Sequence, residues 1–118
     1  MPKKKKPAVS LRKIAIGLLL VDPDNMDRAM RAVVDGFRSR TPDAPVNVTT
    51  LDGGLYLIDG HHRIATILLE RDADDDVMET EVQALVTAIT GIEQWPFGLS
   101  EEMAPENWIS LVEWVRES

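Results

Sequence analysis

Asp59-Gly60-His61-His62-Arg63 holds both histidines of the chain, next to a glycine, a carboxylate and a guanidinium. In that order the residue types suit anion chemistry. The first amides of a helix have no intrahelical acceptor, and the helix dipole adds a partial positive charge beside them. Gly60 would let a ligand approach that backbone closely, and Arg63 would offer a planar fork of donors. Together they can hold a phosphate or sulfate without a metal. Arg63 could pair with carboxylates on the Glu70 side or in the loop, but an arginine in the first helical turn opposes the dipole, which favours a role in binding an anion. Two readings of Asp59 stand side by side: a helix cap, or a base or Mg²⁺ partner. One histidine can equally pack against the sheet. Neighbouring histidines on a helix diverge by about 100°, so His61 and His62 do not readily grip one metal. The chain lacks H-E-x-x-H, G-x-S-x-G and Walker A sequences, which sets aside the zinc protease, serine hydrolase and P-loop readings.

The elements around this turn position it. Leu55–Ile58 is short, apolar and preceded by glycines, which predicts a strand. His61–Glu70 predicts a helix, with Ile64, Ile67 and Leu68 on one face. Upstream, Leu11–Val21 predicts one strand, apolar on both faces and therefore covered on both. Asp22-Pro23-Asp24-Asn25 ends it, and a helix follows over Asn25–Ser39, with Met26, Met30, Val33, Val34 and Phe37 as its core stripe. Val46–Leu51 alternates and is rich in β-branched residues. Asp52-Gly53-Gly54 then turns it back into a hairpin with Leu55–Ile58. Arg71–Asp76 is an acidic loop without Ca²⁺-loop spacing, and Glu79–Val86 predicts another strand. From Thr87 the chain becomes tryptophan-rich. Pro105 suits the first turn of a final helix, with Trp108, Leu111, Val112 and Val115 facing the sheet. A homodimer or protein partner contact through Trp108 and Trp114 is the alternative use of that helix.

Composition bounds the rest. A chain of 118 residues with 44% apolar side chains can build one core. Residues 1–10, with four consecutive lysines, read as a flexible basic lead-in, and residues 11–118 as a single domain. No cysteine is present, which removes disulfides and thiolate chemistry and fits a cytoplasmic protein. The longest apolar run, Ile14–Val21, is far short of the roughly 18 residues of a membrane span. Thirteen basic against 20 acidic residues give a net charge of −7, which disfavours nucleic acid as a partner. The lysine run reads as a solubilising arm.

Leu57-Ile58-Asp59-Gly60-His61-His62-Arg63-Ile64-Ala65-Thr66 resembles the core motif of the ParB/sulfiredoxin superfamily, also known as ParB-like nuclease domains. The resemblance covers about residues 11–86. It implies an α+β fold with a small mixed sheet and flanking helices. It also implies a nucleotide, ATP or CTP with Mg²⁺, held at the Gly60 turn by Gly60, His61, His62 and Arg63. Partition proteins hold CTP phosphates at the matching turn, and a free-serine kinase shares the fold. Sulfiredoxins use a cysteine and an arginine in this loop. His61 stands where that cysteine would be, which excludes their chemistry, while His62 and Arg63 match the family's histidine and arginine. Residues 87–118 hold no counterpart of the partition proteins' helix-turn-helix region. The catalytic set carried over is Asp59, His61, His62 and Arg63. Asp59, with Asp22 or Asp24, would be a metal or base partner; Asp22, Asp24 and Arg28 lie where family members place polar residues at a strand–helix junction. The expected activity is NTP hydrolysis or phosphoryl transfer. A DNA nuclease using the same residues and a noncatalytic partner-binding domain are the alternatives.

Overall fold

The computed structural model describes residues 7–41, 43–71, 75–97 and 104–117. Among them, six strands form one mixed sheet and three α-helices pack with it. The strands are β1 (Ala8–Ala15), β2 (Leu19–Val21), β3 (Val46–Leu51), β4 (Gly54–Asp59), β5 (Glu81–Ala88) and β6 (Ile109–Ser110). The helices are α1 (Pro23–Val34), α2 (His61–Glu70) and α3 (Leu111–Glu117). Across the sheet the order is β1-β5-β3-β4-β2-β6. β4 runs parallel to β2 and β3 parallel to β5, while the other neighbouring pairs are antiparallel.

Local chemistry accounts for the centre of this architecture. Asp52 and Gly53 both take positive φ, 50° and 84°, the turn whose twist suits a two-residue hairpin. β3 and β4 flank it with one irregularity: Asn47 faces Asp59 but Val48 faces Leu57, so Ile58 is an extra residue in β4. Such a bulge bends a strand and redirects the side chains beyond it, here Asp59. Side chains of β2, β3 and β4 alternate between two cores. Leu19, Val21, Val46, Val48 and Leu57 join Met26, Ala29, Val33, Ile64, Ala65 and Leu68 of α1 and α2. Leu20, Leu51, Tyr56 and Ile58 join Trp95, Phe97 and Trp108 on the opposite face.

The expected strand over Leu11–Val21 is broken. A 3-10 turn at Ile16–Leu18 separates β1 from β2, and the chain thereby crosses from one edge of the sheet to the β4 side. Two-sided cover holds for β2 only. Val9 and Leu11 of β1 stand exposed, and so does Leu18. The lead-in expected over residues 1–10 overlaps β1, because Ala8, Val9 and Ser10 face Ala88, Thr87 and Val86. Residues 1–6 lie outside the described residues.

The first helix begins two residues earlier than expected, with Pro23 at its first position, and ends at Val34 rather than Ser39. Gly36 enters the left-handed region, φ 102°, which stops the helix. Val34 and Phe37 are consequently exposed. The final helix begins at Leu111, not Pro105, since a 3-10 turn over Pro105–Asn107 and strand β6 come first. Trp108 is therefore off the helix and packs with Trp95. Leu111 and Trp114 face the main core. Of the acidic loop, residues 72–74 lie outside the described residues, and Asp75–Glu79 forms a 3-10 turn. No helix among the described residues is long and apolar enough to cross a membrane.

Candidate functional site

The parallel pair β2 and β4 each feed a helix at the same edge of the sheet, so the starts of α1 and α2 are neighbours. Ligands in α/β arrangements sit outside the carboxyl ends of such strands. A hollow of about 360 Å³ lies there. Asn25, Arg28 and Ala29 line it from α1, Ile58 and Asp59 from β4, His61 and His62 from α2, and Phe97 from the loop after β5.

Gly60 is the hinge of this site. It caps α2 in the left-handed region, φ 109° and ψ 16°. A Cβ there would stand 2.5 Å from Cγ1 of Val46. Conformation and space both require glycine. Its carbonyl accepts from the amides of Arg63 (3.0 Å) and Ile64 (3.1 Å). No side chain caps the helix, and the amides of His61 and His62 have no acceptor among the described residues. Asp59 does not act as the cap: its Oδ1 accepts from the amide of Gly60 (3.0 Å) and goes no further into the helix.

The histidines differ. Burial pushes the His61 imidazole down to about 4, with Asp59 opposing the shift and His62 adding to it. His61 is thus neutral at physiological pH, and its Nε2 is buried without a hydrogen-bond partner. His62 is exposed, and its ring lies 4.6 Å from that of Phe37. Arg28 donates to Oδ1 of Asn25 at 3.1 Å and brings a cation to the rim.

The sequence search found no match among protein families, and neither curated proteins nor solved structures gave one.

Two of the expected site residues are placed elsewhere. Arg63 lines a second hollow of about 690 Å³ on another flank of α2, with Thr66, Ile67 and Glu70. Its Nε and Nη1 are buried without acceptors. Asp22 is only 5% exposed at the end of β2 and lines neither hollow. Its carboxyl is pushed up chiefly by burial, and the amides of Asp24 and Asn25 and the charge of Arg28 oppose this. Among the described residues no group of three or more His, Cys, Asp or Glu side chains is arranged to hold a metal ion. Trp108 and Trp114, expected to make a partner contact, are both buried within the chain. Asn25, Ala29, Ile58 and Phe97 line the hollow without having been expected as site residues. Phe97 sits in an irregular loop with no periodicity to announce it.

Proposed function

We propose that this protein is a ParB/sulfiredoxin-like domain that binds a nucleotide by its phosphates in the hollow between the starts of α1 and α2. The supporting observation is the open start of α2: the His61 and His62 amides have no acceptor among the described residues, and both residues line the same hollow as Arg28. Phosphate oxygens would accept from those amides, with the helix dipole and the Arg28 charge adding to the attraction. Ile58 and Phe97 give the hollow an apolar side, suited to the flat base or ribose of the same ligand.

The order of elements from β2 to β5, with a hairpin entering the motif turn, is in keeping with the resemblance read from Asp59-Gly60-His61-His62-Arg63. Mg²⁺ usually takes one or two protein carboxylates and fills its remaining positions with phosphates and water. Asp59, exposed at the rim, fits that limited share. Buried Asp22 fits it less well. In hydrolysis or phosphoryl transfer His62 would be the acid, and the neutral His61 a hydrogen-bonding orienter of the phosphates.

Calorimetric titration with ATP, CTP and GTP in the presence of Mg²⁺ tests the reading. One nucleotide should bind the wild type, and Arg28→Ala should weaken it about tenfold, the loss of one charge-assisted contact. Absence of binding by all three, or a titration unchanged by Arg28→Ala, overturns the proposal.

A further inference from the structure

The hollow beside Arg63 has a charge pattern of its own. Arg63, Ile67 and Glu70 lie at i, i+4 and i+7 on one stripe of α2 and line it together. The stripe therefore reads cation, apolar, anion. Val82 of β5 supplies a facing apolar wall.

The two charges of the stripe do not satisfy each other. Seven helical residues separate their backbones by about 10 Å, and neither has an ion pair or hydrogen bond among the described residues. Nε and Nη1 of Arg63 are buried and unpaired, a costly state for a charged donor. Arg38, the other cation at this hollow, is already engaged. Its Nη1 donates to the carbonyls of Val33 (3.1 Å) and Phe37 (2.7 Å) and closes the end of α1. Arg63 is thus the cation left for a ligand.

We infer that this hollow binds a linear amphoteric ligand: a carboxylate at the Arg63 end, an alkyl chain over Ile67 and Val82, and an ammonium at Glu70. The chemical class is that of ω-amino carboxylates and basic amino acids. A dianion would meet the carboxylates of Glu70 and of Asp43, which also lines the hollow, and an amine alone would leave Arg63 unpaired. The assignment does not depend on a nucleotide in the other hollow.

Calorimetric titration with 6-aminohexanoate, hexanoate and hexylamine tests it. 6-Aminohexanoate should bind at least about tenfold tighter than either one-ended analogue, the contribution of one charge-assisted contact. Glu70→Gln should remove its advantage over hexanoate, and Glu70→Lys should turn the preference to adipate. Glu70 is exposed, so these variants are expected to fold even if Arg63→Gln does not. Three equal affinities, no binding of any probe, or inorganic phosphate bound as tightly as 6-aminohexanoate and untouched by Glu70→Gln overturns the inference.

Discussion

His61 carries the sharpest consequence of local environment. Its folded-state value is about 4, whereas in an unfolded chain a histidine takes up its proton near 6.5. Between those values the unfolded state binds the proton and the folded state does not. Stability is therefore complete above pH 6.5 and falls as the pH drops toward 4, by at most about 3 kcal/mol. Urea denaturation at pH 7.0, 5.5 and 4.5 should show wild type losing more stability than His61→Gln across this window. Parallel losses in the two proteins would show that the imidazole is not held neutral. In the proposed phosphate site a neutral His61 would offer a hydrogen bond and no charge.

At the level of elements, the short α3 is fastened to α1 across most of the sequence. Nε1 of Trp114 donates to Oδ1 of Asp27 at 2.9 Å, and Leu111 beside it is fully buried. A hydrogen bond to a charged acceptor contributes about 1.5–3 kcal/mol. Asp27→Ala and Trp114→Phe should each lower stability by about that much, and the double variant should cost less than their sum. Additive losses in thermal unfolding would show that the two residues act separately. This contact also marks the limit of what the sequence disclosed. β3, its turn and α2 were legible because period-2 and period-3.6 patterns and a glycine turn agreed there. The break at Ile16–Leu18 was not, since a run apolar on both sides has no periodicity to show where pairing switches edges. Trp108 fell on an apparent helical stripe only because the 3-10 turn after Pro105 imitates the start of a helix. The Gly60 turn is legible as a helix start, since α2 begins at His61. That Arg63 would line a different hollow from His61 and His62 depends on how α2 is rotated against β5 and against Arg38, Ser39, Asp43 and Ala44, a matter of packing rather than spacing.

The molecule as a whole is elongated, 52 by 30 by 25 Å. Its core is concentrated where α1, α2 and α3 meet the sheet, and β1 reaches past it. Leu11 of β1 is 58% exposed while Ile14, three residues on, is 3% exposed. Replacing Leu11 with Ala should change stability by no more than about 0.5 kcal/mol, against about 2–4 kcal/mol for Ile14→Ala. Equal costs in chemical denaturation would mean that the outer half of β1 is covered in solution.

The pairing of β1 also governs the order of events in folding. Ala8 faces Ala88 and Ala15 faces Glu81, and at the other edge Leu20 faces Ser110. Each outer pair joins an early strand to a late one, and closing such long loops costs entropy before any contact offsets it. The β3–β4 hairpin, joined by a two-residue turn, has no such delay. The sheet is therefore expected to grow from its middle outward. During synthesis β1 would then wait unpaired until β5 has emerged, an interval open to pairing with the wrong strand.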